Sequence, residues 1–149
     1  MHYFDTSFLV PLVLPEATSA AIERFVLRLP VGELTVSQLA RIEFASLLAR
    51  DVRSGGLSSD AARAADAQFE LVIRETFTVL MPSVEDFDLA RHYLSDHSSG
   101  LRAADALHLA TAKNNNAGAI YSLDKTLLKA GKRFGLSMTT GIRISGYAK

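Results

Sequence analysis

Short apolar stretches alternate with longer amphipathic stretches along the whole chain, and this alternation restricts the folds that it can adopt. The predicted strands are Tyr3–Asp5, Thr35–Ser37, Thr78–Met81 and Ala119–Leu123, with Leu136–Thr139 as a possible last strand. Strands that alternate with helices pair in parallel, because each helix returns the chain to the same edge of the sheet. The pattern predicts an α/β fold: a single three-layer domain over residues 1–149, with a short parallel sheet flanked by helices on both faces.

The segments between these strands have apolar residues at helical spacing. The predicted helices are a short apolar helix ending near Leu14, Thr18–Leu29, Gln38–Arg53, Ser58–Glu75, a helix opened by Ser83, Leu101–Lys113 and Lys125–Lys132. Ser83 is expected to cap its helix together with Asp86, in a variant of the capping box. No repeat, low-complexity tract or shift in composition marks a boundary between domains.

The composition excludes several classes of protein. The 149 residues contain no cysteine, which excludes disulfides and thiolate metal sites, and 48% are hydrophobic, as in a folded globular domain. The most apolar early stretch, residues 8–14, contains Pro11 and lacks the basic start of a signal peptide. No segment is long enough to cross a membrane. We therefore expect a cytoplasmic protein.

Charge is distributed unevenly although the formal net charge is zero. All 16 acidic residues lie within residues 1–124, which sum to −6, whereas residues 125–149 carry six Lys or Arg and no acid. Such an asymmetry could place a basic rim beside an acidic pocket, as an enzyme that binds phosphates needs. A solvated basic helix and tail is the alternative interpretation.

Two aspartates follow predicted strands directly. Asp5 closes the first strand and Asp124 follows the strand that ends at Leu123. In open parallel sheets, ligands bind in the crevice beyond the carboxyl ends of the strands. The sequence therefore predicts that both carboxylates lie at a ligand-binding edge of the sheet.

Two further acids interrupt apolar helical faces. Glu43 lies in a helix that is apolar nearly all round, which is typical of a buried helix, and Arg50 is about 10 Å along the axis, too far to pair with it directly. Asp105 breaks an apolar stripe in the same way, and His108 is the only other polar group nearby on that face. A buried carboxylate is costly unless it is paired, protonated or bound to a metal. Taken singly, each acid could instead be a cap bonded to a backbone amide.

Four carboxylates grouped at one crevice would repel one another and raise their pKa values unless a cation were present. Oxygen ligands without cysteine or a histidine pair favour Mg²⁺ or Mn²⁺ over zinc. Such a cation neutralises a phosphate and activates a bound water, so no nucleophilic side chain is required. We therefore predict a divalent-metal site formed by Asp5, Glu43, Asp105 and Asp124.

The same residues resemble a known family, the PIN-domain ribonucleases, and specifically the VapC-type toxins of bacterial toxin–antitoxin pairs. The resemblance spans nearly the whole chain. It rests on Asp5-Thr6-Ser7 after the first strand, on Glu43, on the run LRAADALHLATA at residues 101–112, and on Ser122-Leu123-Asp124 followed by Lys125. The run around Asp105 is the most specific of these. Ser122 departs from the family, in which threonine is common at this position, although both residues offer a hydroxyl.

The resemblance implies a compact α/β fold, endoribonuclease activity on RNA, a Mg²⁺ or Mn²⁺ site from the four acids, a small cognate antitoxin and a homodimer. Within it, Ser7 and Ser122 are candidates to hydrogen-bond a metal ligand or a metal-bound water, or else residues of a turn or cap. Arg102 and Lys125 could contact substrate phosphates. A lone histidine on an apolar helix, such as His108, is more often a core residue than a general base.

Two alternatives remain open from the sequence. A metal-dependent phosphatase of the haloacid dehalogenase kind also has an aspartate after its first strand, but it needs a second acid two residues later, where this chain has Ser7. A non-catalytic α/β module that binds a protein partner would use the acids only structurally. Dependence of thermal stability on Mn²⁺ separates the metal enzyme from the binding module.

Overall fold

Five parallel strands form a single sheet in a computed structural model that describes residues 1–147. The strands are β1 (His2–Phe4), β2 (Leu34–Ser37), β3 (Thr78–Leu80), β4 (Ala119–Tyr121) and β5 (Met138–Thr139). Their order across the sheet is β3-β2-β1-β4-β5, and every neighbouring pair is parallel. The predicted α/β fold is confirmed, including the possible last strand.

Seven α-helices connect and cover the strands within residues 1–147. They are α1 (Thr6–Leu9), α2 (Ser19–Leu27), α3 (Leu39–Arg53), α4 (Ser59–Thr76), α5 (Val84–Leu94), α6 (Ala103–Asn114) and α7 (Lys125–Arg133), with 3₁₀ turns at Val10–Leu12 and His97–Ser99. The capping box at the start of α5 is confirmed, since Ser83 and Asp86 exchange backbone-to-side-chain hydrogen bonds. No helix in this part of the chain combines the length and the apolarity needed to span a bilayer.

The first predicted helix is too long. Helix α1 ends at Leu9 and continues only as a 3₁₀ turn to Leu12, whereas the apolar run predicted a helix ending near Leu14. Pro11 accounts for the difference, because it has no backbone N–H and so cannot donate the hydrogen bond that would continue the α-helix.

The two faces of the sheet carry separate apolar cores. Tyr3 and Phe4 are adjacent on β1, so their side chains point to opposite faces, and both are fully buried. Phe4 belongs to the core beneath α1, α3 and α4, which includes the stacked pair Phe44 and Phe69. Tyr3 belongs to the core formed with α5, α6 and α7. The central strand thus ties both cores together.

Helix α3 is less buried than its sequence predicts. Only Ala40, Phe44 and Leu48 are fully buried, and Ile42 is 67% exposed. The helix packs one stripe against the core and turns another toward solvent, so the expectation of a helix buried nearly all round is wrong. Glu43 lies at the boundary between these two faces, where a carboxylate can reach both protein and water.

The chain order of the strands opens a crevice at the middle of the sheet. The chain leaves β1 to form β2 on one side, while β4 pairs with β1 on the other side. The connections after β1 and β4 therefore diverge at their carboxyl ends, which is where parallel sheets bind ligands. Asp5 and Asp124 follow these two strands.

Candidate active site

A cleft of ≈ 600 Å³ opens at the carboxyl ends of the central strands. Three of the four predicted acids line it: Glu43 from α3, Asp105 from α6 and Asp124 from the segment between β4 and α7. The other polar side chains on its walls are Thr6, Ser7, Ser46, Arg50, Arg102 and Thr126. The fold therefore brings together acids that are up to 81 positions apart in sequence.

Asp5 lies behind the wall of this cleft and is 4% exposed. Ser7 Oγ donates to its Oδ1 at 2.8 Å, and Ser122 Oγ donates to its Oδ2 at 3.0 Å. The Phe8 backbone N–H also donates to Oδ1, at 3.3 Å, which makes Asp5 the N-cap of α1. Its carboxylate is thus held at both oxygens, next to the cleft-lining Ser7.

Burial dominates the ionisation of Asp5. Removal from water raises the pKa of this carboxyl from its ordinary 3.8 to about 6, although the charge of His108 and the two serine hydrogen bonds partly oppose the rise. Asp5 is therefore a weak acid in this structure, and a nearby cation would favour its ionised form.

Ser7 and Ser122 join the ends of β1 and β4. Their hydroxyl oxygens are 3.2 Å apart, Ser7 Oγ accepts from the Leu123 N–H at 2.9 Å, and Ser122 Oγ accepts from the Asp124 N–H at 3.0 Å. Each serine therefore both contacts a predicted metal ligand and caps a turn. The turn or cap role of both serines is confirmed, and their role beside a metal ligand stays a prediction.

Asp124 and Asp105 lie at the starts of helices. Asp124 caps α7, accepting from the backbone N–H groups of Thr126 at 2.8 Å and Leu127 at 3.2 Å. Asp105 Oδ2 accepts from the Arg102 N–H at 3.3 Å in the first turn of α6. Burial raises the pKa of Asp105, and the negative charges of Asp124 and Glu43 raise it further. These three carboxylates are therefore close enough to repel one another.

Glu43 has side-chain partners that its sequence position did not reveal. Thr6 Oγ1 donates to Glu43 Oε1 at 2.6 Å, and His108 Nε2 contacts the same oxygen. Burial alone would raise the pKa of Glu43, but the His108 hydrogen bond and charge, with Thr6, hold it below its ordinary value. The helical wheel showed no partner for Glu43 on its own helix, but Thr6 and His108 supply partners from other elements. This carboxylate is therefore satisfied without a cation.

His108 lies in the core, 2% exposed, and both of its ring nitrogens have partners. Nδ1 is 2.7 Å from the Tyr3 hydroxyl, while Nε2 faces Glu43 and lies 3.3 Å from Thr6 Oγ1. The sequence placed His108 beside Asp105 on α6, but its hydrogen bond crosses to α3. Burial would lower the pKa of His108, but the hydrogen bond and charge of Glu43 raise it above the ordinary 6.5.

The basic side chains at the cleft are not those of the basic C-terminal segment. Arg50 and Arg102 line the cleft, whereas Lys125 lies with its Nζ 4.9 Å from the centre of the Tyr147 ring. Lys132 and Arg143 line a separate groove beside β5. Lys149, also counted in that segment, is outside the described residues. The expectation that residues 125–149 supply a basic rim is therefore wrong. The basic side chains of the cleft are Arg50, in the last turn of α3, and Arg102, at the start of α6.

Sequence reasoning missed five polar residues of this site: Tyr3, Thr6, Ser46, Arg50 and Thr126. Thr6 lies inside the Asp5-Thr6-Ser7 motif, and Tyr3 precedes Asp5 by two residues on the same strand, so each was adjacent to a recognised signal. Among residues 1–147, no group of three or more His, Asp or Glu side chains is arranged tightly enough to hold a metal ion. The metal site accordingly remains a prediction.

Comparison with known proteins identifies the family. The model of the PIN domain family matches residues 2–133. The chain belongs to the PIN domain family. This agrees with the resemblance inferred from the acidic motifs, and the matched range includes all four acids. Comparison with the curated proteins gives no match.

Several solved structures have the same fold. Mycobacterium tuberculosis VapC20 is 23% identical, covers 88% of this chain and 95% of its own, and has a TM-score of 0.67. FitAcB from Neisseria gonorrhoeae is 15% identical, with 95% and 98% covered and a TM-score of 0.68. VapBC-1 from nontypeable Haemophilus influenzae is 18% identical, with the same coverage and a TM-score of 0.67. At these identities the likeness establishes the fold.

The buried Asp5 makes the stability of the metal-free protein depend on pH. Because its folded pKa of about 6 exceeds the unfolded value of 3.8, Asp5 contributes stability that is full below pH 3.8 and is lost as pH rises through about 6. A shift of this size corresponds to about 3 kcal/mol. We expect Asp5→Asn to flatten the decline in the free energy of unfolding between pH 4 and 7, measured with urea in EDTA. An equally steep decline in the free energy of unfolding of Asp5→Asn would show that Asp5 is not the cause of the pH dependence.

Proposed function

We propose that this PIN domain is a Mg²⁺- or Mn²⁺-dependent endoribonuclease, a toxin that a small cognate antitoxin neutralises. The observation that carries the proposal is the convergence of Glu43, Asp105 and Asp124 on one cleft, with Asp5 hydrogen-bonded to Ser7 in its wall. In a PIN domain this is the arrangement expected of a nuclease.

The donor set of the cleft suits a hard divalent cation. Its walls offer carboxylates and the hydroxyls of Thr6 and Ser7, all of them oxygen ligands. Burial is the main cause of the raised pKa of Asp105, and repulsion from Asp124 and Glu43 adds to the rise. A divalent cation in the cleft would relieve that repulsion. The four acids would act as ligands directly or through water, with Asp5 as the ligand nearest the sheet.

A cation bound there would neutralise charge on a phosphodiester and lower the pKa of a bound water. The serines beside Asp5 and the nearby histidine are engaged in hydrogen bonds within the protein. The hydroxyls of Ser7 and Ser122 both donate to Asp5. His108 is buried behind Glu43 and contacts Tyr3 with its other nitrogen, so it cannot reach a substrate as a general base.

RNA is the substrate that the comparisons favour. One of the similar structures, VapC20, is of a toxin that cleaves the sarcin–ricin loop, an RNA element. Arg50 and Arg102 line the same cleft as the acids and would supply positive charge for the backbone phosphates of an RNA. A phosphatase of the haloacid dehalogenase kind is disfavoured, because Ser7 occupies the position of its second acid and donates to Asp5.

Removal of a cleft carboxylate is expected to abolish cleavage without unfolding the protein. In an assay with total RNA and Mg²⁺ or Mn²⁺, we expect Asp105→Asn and Glu43→Gln to lower the initial cleavage rate by at least about 100-fold. Loss of a hydrogen bond to a metal ligand costs up to about 100-fold, and loss of the ligand itself should cost at least as much. Asp88→Asn, on the exposed face of α5, is the matched control and should cleave like the wild type.

Two further controls separate the rival functions. EDTA should stop cleavage by the wild type, and Mn²⁺ should raise its melting temperature but not that of Asp5→Asn. Cleavage by Asp105→Asn at the wild-type rate would exclude the proposed site. A melting temperature indifferent to Mn²⁺ in the wild type would favour the non-catalytic binding module instead.

Arg50 is expected to bind substrate without taking part in the chemistry. Arg50→Ala should raise KM for RNA several-fold and leave kcat nearly unchanged, since a phosphate contact away from the cleaved bond is made equally in ground and transition states. The dependence of binding on log salt concentration should fall by about one unit. Arg53→Ala, at the exposed end of the same helix and outside the cleft, is the control. Equal KM values for the two variants would remove Arg50 from the RNA-binding surface.

Protein partners are proposed on two grounds. The likeness to VapBC-1 and FitAcB supports an antitoxin as a partner of this chain. An apolar face at the start of α5 supports a homodimer: Val84 and Phe87 are 74% and 55% exposed and lie three residues apart, beside Met81, which is also 74% exposed.

The homodimer is tested by light scattering of the purified protein after gel filtration. We expect the mass of a dimer for the wild type and a larger monomer fraction for Phe87→Lys, because a charge would be buried at the interface. Leu27→Lys changes an apolar residue on α2 that is even more exposed than Phe87, and it should leave the mass unchanged. A monomer in the wild type, or equal effects of both substitutions, would contradict an interface at α5.

A further inference from the structure

Both hydrogen bonds to Glu43 end on the same oxygen. Thr6 Oγ1 and His108 Nε2 converge on Oε1, and within residues 1–147 no hydrogen bond reaches Oε2. The Glu43 side chain is 28% exposed and lines the cleft. One oxygen of the carboxylate is therefore fixed in the protein and the other is free to face a ligand.

The direction of the His108 hydrogen bond follows from its partners. A carboxylate can only accept, so Nε2 carries the hydrogen that points at Oε1 whether the ring is neutral or charged. In the neutral ring, Nδ1 has no hydrogen and accepts from the Tyr3 hydroxyl at 2.7 Å. Each partner thus excludes rotation of the imidazole, and the ring has only one orientation that satisfies both nitrogens.

Tyr3, the residue of this hydrogen-bonded series that lies farthest from the cleft, is fixed within the sheet. Tyr3 is the middle residue of β1, the central strand, where it pairs with Thr35 on one side and Ile120 on the other, and it is fully buried. His108 is held within the core on α6. The two hydrogen bonds from Tyr3 to His108 and from His108 to Glu43 therefore link the centre of the sheet to α6 and then to α3.

We propose that Tyr3 and His108 are positioning residues that aim the free oxygen of Glu43 at a divalent cation in the cleft. The inference rests on the proposed function and extends it to two residues that never touch the cation. Glutamate needs such support because its three side-chain torsions allow many positions of the carboxylate. Hydrogen bonds from outside a metal's ligands commonly orient those ligands and tune their affinity.

Two amide substitutions at position 108 separate positioning from simple packing. The side-chain nitrogen of glutamine reaches the place of Nε2 and can donate to Glu43, whereas the shorter asparagine reaches only the place of Nδ1 and keeps the Tyr3 contact. We expect His108→Asn to weaken Mn²⁺ binding by about 10- to 100-fold, and His108→Gln to retain most of the affinity. The readout is the Kd for Mn²⁺ by titration calorimetry, which does not depend on cleavage.

A double-mutant cycle shows whether the effect passes through Glu43. Because Glu43 is the one of the four acids that His108 hydrogen-bonds, His108→Asn should weaken Mn²⁺ binding far less in a Glu43→Gln background than in the wild type. Tyr3→Phe removes one hydroxyl and keeps the ring, so it should fold even where a change at His108 does not. We expect it to weaken Mn²⁺ binding in the same direction and by a smaller factor.

The outcomes are distinct. Unchanged Mn²⁺ affinity in His108→Asn and Tyr3→Phe, with only lower melting temperatures, would make the pair part of the core and overturn the inference while leaving the nuclease proposal intact. Equal losses in the asparagine and glutamine variants would also overturn it. Absence of Mn²⁺ binding by the wild type would refute the proposed function itself, and the inference with it.

Discussion

Burial of Asp5 at the middle of the sheet is the constraint around which the site is organised. A carboxylate at 4% exposure is costly, and its pKa near 6 measures that cost. The fold offsets it with the hydroxyls of Ser7 and Ser122 and the N–H of Phe8. The same two hydroxyls accept hydrogen bonds from the backbone after β4. The serines that stabilise the Asp5 carboxylate therefore also connect the carboxyl ends of the two central strands.

Three of the four acids accept backbone hydrogen bonds at the starts of helices. Asp5 caps α1, Asp124 caps α7, and Asp105 accepts a backbone N–H in the first turn of α6. Free N–H groups and the helix dipole favour negative charge at these positions. Backbone geometry thus brings negative charge together at one edge of a sheet, which supports the cleft as a cation site in the proposed nuclease.

The sequence was sufficient for the features that depend on local pattern. Strand alternation predicted the parallel sheet. The strand-end positions of Asp5 and Asp124 correctly placed both at the carboxyl edge of that sheet, although only Asp124 lines the cleft and Asp5 lies behind its wall. The acidic motifs predicted the PIN family. The helical wheel failed for α3, because periodicity shows which face is apolar but not how wide a stripe the neighbouring elements cover. The partner of Glu43 was invisible for a related reason: His108 is 65 residues away, and its contact exists only once α6 and α3 both pack on β1.

Glu43 differs physically from the other three acids, and the difference explains why its hydrogen-bond partners are side chains only. It lies in the second turn of α3, beyond the free N–H groups of the helix start, so the backbone offers its carboxylate no donor. It also has one more methylene than aspartate, and hence more conformations to lose when its carboxylate is fixed. Donors must therefore come from other elements, and Thr6 after β1 and His108 on α6 supply them. Because both donors bind a single oxygen, they restrict the carboxylate without using the oxygen that a cation would need.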